Sequence, residues 1–158
     1  MHPNEELIRK FYNSFQQLDH EGMSSCYDAD IRFSDPVFPY LKKEEVPAMW
    51  GMLIDSLKKG KGNWEVSVSN IIVNDVEGSC RWEAKYIFSL TGNKVTNNVM
   101  AKFQFRDGKI VEHSDYFNFY KWSRMAFGLK GILLGWTKMF SSKVQQNVEA
   151  RLRNWMEQ

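Results

Sequence analysis

Asp35, His113 and Asp115 are the residues whose types and spacing offer chemistry. The run 108–119, GKIVEHSDYFNF, leaves a tight turn as a strand, and a strand sends residues two apart to the same side. His113 and Asp115 then share a face with Val111, Phe117 and Phe119, an imidazole and a carboxylate set into apolar surroundings. Such a pair either moves protons inside a pocket or bonds to itself, because buried polar groups take partners whatever else they do. Asp35, just before Pro36, reads either as a turn cap or as a carboxylate closing one end of a concave surface. In that second setting partial desolvation raises its pKa and makes it a usable base near neutral pH.

Strand parity extends the surface. With Phe103 and Phe105 facing inward, Asn97, Val99 and Ala101 face inward too; with Trp82 inward, Ala84, Tyr86 and Phe88 follow. Asp35, His113 and Asp115 are therefore the candidate catalytic residues, and Trp50, Trp82, Tyr86, Asn97 and Phe117 the candidate ligand contacts. The commoner role of aromatics such as Trp50, Trp82 and Tyr86 is core packing.

Other chemistries lack their residues. His2, His20 and His113 form no HxH or HxxxH pair, so no metal site is expected. There is no GxSxG, P-loop or GxGxxG, and no cofactor is expected. Cys26 and Cys80 lie far apart with no CxxC neighbour and read as free buried thiols. FYKWSRMAF interleaves aromatic and basic residues, as nucleic-acid binders do, but glycine-punctuated apolar segments beside it favour packing, so no nucleic-acid partner is expected. No apolar run is long enough to span a bilayer and MHPNEELIRK does not read as a signal peptide, so a cytoplasmic location is expected.

These residues need a scaffold. Leu7, Ile8, Phe11, Phe15 and Leu18 recur at helical spacing behind Asn4 as N-cap; HEGMSSCY predicts a short second helix, DIRFSDP a brief strand ended by Pro36, and VFPYLKK a loop. Val46, Met49, Trp50, Leu53 and Leu57 predict a third helix, with Gly60 as its C-cap. The period then changes to two in WEVSVSNIIV, SCRWEAKYIFSL, KVTNNVMAKFQF and KIVEHSDYFNF, joined by turn compositions. That pattern is an antiparallel meander with helices on one face, an α+β fold. Residues 1–120 form this unit, and 121–158 a helical extension packed on it or on a partner chain.

Charge is uneven. Residues 121–158 hold seven Lys or Arg against two Glu, a net of +5, whereas residues 1–120 carry a net of −3. A solvated helix face is the main reading of the basic tail and membrane contact the minor one. Residues such as Asn98, Met100 and Tyr116 leave an outer sheet face that needs cover, hence an expected homodimer.

Three helices followed by four long strands, with RFSDP before the third helix and FQFRDGKIVEHSDYF at the end, resemble the nuclear transport factor 2-like superfamily, within it the SnoaL-like and ketosteroid isomerase-like group. The resemblance covers roughly residues 4–120 and implies a cone of curved sheet wrapped on N-terminal helices, around an apolar cavity. It places Asp35 where ketosteroid isomerases keep their proton-shuttling aspartate, but Phe11 and Ala101 where those enzymes keep their tyrosine and protonated aspartic acid. Asp115 falls where limonene epoxide hydrolases keep a catalytic aspartate; their Arg-x-Asp would require Arg81 and Glu83 to turn inward through a bulge. The implied function is binding of an apolar polyketide-, terpene- or steroid-like small molecule, with isomerase, cyclase or hydrolase chemistry by acid and base. The alternative is a non-catalytic binding or dimerisation module.

Overall fold

A computed structural model describes residues 1–60, 62 and 64–158. Helices α1 (Pro3–Gln16), α2 (His20–Ser24) and α3 (Glu45–Lys59) pack into the hollow of one six-stranded sheet. Its strands are β1 (Tyr27–Ser34), β2 (Leu41–Lys42), β3 (Glu65–Val73), β4 (Glu77–Ile87), β5 (Lys94–Arg106) and β6 (Lys109–Tyr116), in the order β2-β1-β6-β5-β4-β3. The last four strands form the expected antiparallel meander. The sheet as a whole is mixed, because β1 runs parallel to β6, with Phe33 beside His113 and Ser34 beside Ser114. It does not close on itself, since β2 and β3 remain edges.

Local chemistry explains most of the joints. Asp107 and Gly108 both have positive φ, 51° and 75°, the backbone that a two-residue turn needs to match strand twist between β5 and β6. Asn70 at φ 53° marks the point where the β3–β4 register shifts, a bulge that bends the sheet around the helices. The N-cap of α1 is His2 rather than Asn4: the His2 ring accepts the Asn4 N–H at 3.0 Å, and Pro3 takes the first helical position, where its missing N–H costs nothing. β6 ends at Tyr116 instead of running to Phe119, because the Asn118 side chain accepts the Lys121 N–H and starts α4 (Phe119–Phe127). Phe119 therefore leaves the strand face and packs on Trp122 and Phe140.

After α4 come α5 (Leu129–Leu134) and α6 (Lys138–Met156). α5 lies directly on the α4 backbone, and a Cβ on Gly131 would collide with the Ser123 carbonyl. α6 crosses to α3, where Trp155 donates to Asp55 at 2.9 Å, Arg153 pairs with Glu45 at 2.9 Å, and Leu152 joins the main core. Among the described residues no helix is long and apolar enough to cross a membrane. Cys26 and Cys80 are buried free thiols.

Candidate active site

A cavity of about 420 Å³ opens between the sheet, α3 and the tail helices. Strand parity supplies one wall: Trp82, Ala84 and Tyr86 from β4, Asn97 from β5, and Asp115 from β6, with Phe117 just beyond. The unbroken β4–β5 register sends Arg81 and Glu83 to the other face, so the inward bulge does not form. α3 contributes Trp50 and Leu53, the β1–β2 connection contributes Asp35, and Phe140 and Val144 of α6 close the cavity from the tail side.

The two carboxylates at this wall are held alike. Asp35 accepts the N–H groups of Val37 and Phe38 on Oδ1 at 2.7 and 2.6 Å, so it caps its own turn and still presents its second oxygen. Asp115 accepts Trp82 Nε1–H at 3.2 Å and meets His113 Nε2 at 3.0 Å, again through Oδ1. Among the described residues neither Oδ2 has a protein donor.

His113 is fully buried and does not line the cavity. Phe11, Phe33, Trp50 and Phe103 surround its ring at centroid distances of 4.7 to 6.2 Å. Its Nδ1 lies 2.8 Å from the Tyr27 hydroxyl, which accepts Trp50 Nε1–H at 2.9 Å. An indole N–H only donates, so the assignment that satisfies every group has Tyr27 donating to Nδ1 and His113 Nε2–H donating to Asp115. A chain of hydrogen bonds thus runs from Trp50 through Tyr27 and His113 to Asp115, and every link is used. By contrast the buried Tyr12 hydroxyl has no partner among the described residues.

The electrostatics separate the groups. Burial pushes the Asp35 carboxyl up to about 7; the Phe38 amide opposes the rise, the Asp115 charge adds to it, and the Val37 amide opposes it again. Some of the Asp35 surface remains accessible because it faces the cavity, while its other surroundings are protein. Burial also lifts the Tyr86 phenol to about 12, partly offset by the hydrogen bond from Trp122 and helped by the Asp35 charge. Tyr86 accepts Trp122 Nε1–H at 2.9 Å, which leaves the tyrosine's own proton for a cavity acceptor.

Asp35, Asp115 and all five candidate contacts, Trp50, Trp82, Tyr86, Asn97 and Phe117, come together around the cavity, while His113 stands behind its wall. Sequence reasoning missed Tyr27 and Trp122. Tyr27 falls within the stretch predicted as helix α2, although β1 already begins there. Trp122 reads as mere packing in FYKWSRMAF, and only its indole N–H, needing a partner when buried, hinted at more.

Removing the Asp115 charge tests this coupling. Asp115→Asn keeps an oxygen acceptor for His113 and Trp82, so the fold should survive, while the Asp35 carboxyl should titrate at lower pH without its anionic neighbour. Carbon-13 NMR of the Asp35 carboxyl checks it; an unchanged titration would show that the two carboxylates do not sense each other.

No curated protein matches the chain. Among solved structures, TerC co-crystallised with polyporic acid superposes with a TM-score of 0.67 at 17% identity, over 80% of this chain and 100% of that one. An NTF2-like protein of unknown function from Burkholderia pseudomallei K96243 gives 0.67 at 14% identity, over 80% and 98%. An M. tuberculosis LEH-like epoxide hydrolase gives 0.61 at 18% identity, over 87% and 94%. At these identities the likeness is one of fold, the NTF2-like α+β fold. The family model for the SnoaL-like domain matches residues 8–113, more than half of the chain, a span that holds α2, α3 and β1 to β5 whole with most of α1 and β6, and the chain belongs to the SnoaL-like domain family.

Proposed function

We propose that the chain binds an apolar polyketide-, terpene- or steroid-like molecule in the cavity and moves a proton on it, as an isomerase, cyclase or hydrolase does, without a cofactor. One observation carries this reading: an apolar cavity whose wall holds two carboxylates, each with one oxygen tied to protein donors and one left over. Asp35, pushed up to about 7, is the base. Tyr86 donates to the oxygen on which negative charge develops. Asp115 orients the ligand's polar end, and His113 is a positioning residue that fixes Asp115 from behind the wall. The neighbour TerC was co-crystallised with polyporic acid, which supports a small organic ligand for this cavity.

Two probes test the reading. Polyporic acid should quench tryptophan fluorescence through Trp50 and Trp82 at the wall. Solvent deuterium should enter 2-tetralone beside its carbonyl faster with the protein than without it, and no faster with Asp35→Asn. Absence of both binding and exchange would leave the cavity without this role.

We also propose a homodimer through the outer sheet face, where Ile72 and Tyr116 are 71% and 53% exposed around a groove that includes Lys102 and Glu112. Light scattering at micromolar concentration should give twice the chain mass, reduced to one by Tyr116→Glu. A monomeric wild type would remove the dimer.

A further inference from the structure

The tail exposes an unusual amount of apolar surface. Leu129, Leu133, Trp136 and Met139 are 60 to 77% exposed, and Ile132 and Leu134 are 48% and 44% exposed. Single exposed leucines need no explanation, but six large apolar side chains within eleven positions form a patch that does. Their exposure is built in. Gly131 and Gly135 seat α5 against Ser123 of α4, and Tyr120 bonds the Ile132 carbonyl at 3.0 Å, so the opposite face of α5 must point outward.

Charge says what this face meets. Between Asp115 and Glu149 there is no acidic residue, but there are five basic ones: Lys121, Arg124, Lys130, Lys138 and Lys143. Among the described residues no carboxylate pairs with Lys130, Lys138 or Lys143. A two-fold contact between copies through this patch would set one cationic segment against another with no anion between them, whereas an anionic lipid surface complements both the leucines and the lysines. Trp136 fits the same surroundings, since indoles favour the headgroup region. The patch also borders the cavity: Lys130, Leu134, Met139 and Lys143 belong to both.

We infer that α5 and the start of α6 dock the protein on anionic membrane surfaces, with the cavity mouth against the lipid, so that an apolar ligand enters from the bilayer rather than from water. Docking stands on the patch and its charge alone; the route of the ligand rests on the cavity function proposed above.

Vesicle flotation tests the docking. The protein should float with vesicles of equal parts phosphatidylcholine and phosphatidylglycerol, much less with phosphatidylcholine alone, and added salt should weaken the association. Leu133→Glu with Trp136→Glu should weaken binding by at least about tenfold, given the apolar area withdrawn from lipid. Lys130→Gln with Lys138→Gln should remove the preference for phosphatidylglycerol. Brominated phosphatidylcholine, mixed with an equal part of phosphatidylglycerol, should quench the wild type more than Trp136→Phe, a readout that does not depend on the glutamate variant's folding. Failure to float with phosphatidylglycerol vesicles at low salt, or flotation and quenching indifferent to these substitutions, would overturn the proposal. So would a dimer in light scattering that the double glutamate variant splits, because the patch would then cover a second copy. Polyporic acid quenching of the wild type reads the cavity independently: its absence alongside intact flotation would sink only the cavity function.

Discussion

Asp35→Asn should remove nearly all proton transfer and, at the same time, make the protein more stable in mild alkali. In the folded chain the carboxyl is pushed up to about 7 by burial, whereas in the unfolded chain it ionises near the ordinary value of about 4. Between those values the folded state holds the extra proton, so stability falls as pH rises through the window and the full penalty is present above about 7. That difference corresponds to at most about 4 kcal/mol, a ceiling because the carboxyl keeps some contact with cavity water. The asparagine retains an oxygen for the Val37 and Phe38 amides and never ionises, so it escapes the penalty. Exchange into 2-tetralone should drop by about a hundred- to ten-thousandfold, as for loss of a general base. In wild type the exchange should rise with pH through about 7 and then level off, because the base works only when ionised. Urea melts at about pH 5 and about pH 8 provide the stability half of the test. Parallel pH dependence in the two proteins would show that Asp35 is not desolvated, and surviving exchange in the variant would move the base elsewhere.

His113→Ala should cost about 3–5 kcal/mol of folding free energy, the largest stability loss expected from any polar residue of the site. Two effects add. The deletion opens a void among Phe11, Phe33, Trp50 and Phe103, rings that pack on the imidazole. It also strips the buried Tyr27 hydroxyl of its acceptor and Asp115 of one donor. Tyr27→Phe, which leaves the packing intact and breaks the bonds on one side only, should cost about 1–3 kcal/mol. Because His113 does not reach the cavity, its loss should act on a bound ligand only by freeing Asp115 to rotate. The expected signature is a lower kcat with KM little changed in any turnover assay, and nitrogen-15 NMR of wild type should show the Nε2–H tautomer. A loss below about 1 kcal/mol, or the Nδ1–H tautomer, would break the chain of bonds on which this argument stands.

Local order was readable from residue types because it is decided locally. Period-two runs put Trp82, Tyr86 and Asn97 on the face shared with Asp115, since each Cβ in a strand alternates regardless of what lies opposite. The same rule placed His113 and Asp115 side by side, at 3.0 Å. It could not say that the histidine would be sealed and the aspartate left at the cavity. That outcome depends on Tyr27 and Trp50, which are distant in sequence and reach His113 only because β1 lies parallel to β6 and α3 packs across both. Asp35 posed the choice between turn cap and cavity carboxylate, and the fold makes it both, one oxygen for each, by bringing the β1–β2 turn against the end of the cone. Local rules misjudged the ends of elements, such as the His2 cap and the exit of Phe119 from β6, where one side-chain bond to a backbone N–H outweighs an apolar pattern. Composition marked the tail as apolar and basic; only the seat of Gly131 on Ser123 decided which of its side chains close the cavity and which face outward, because that choice is made by contact between helices and not by spacing within one.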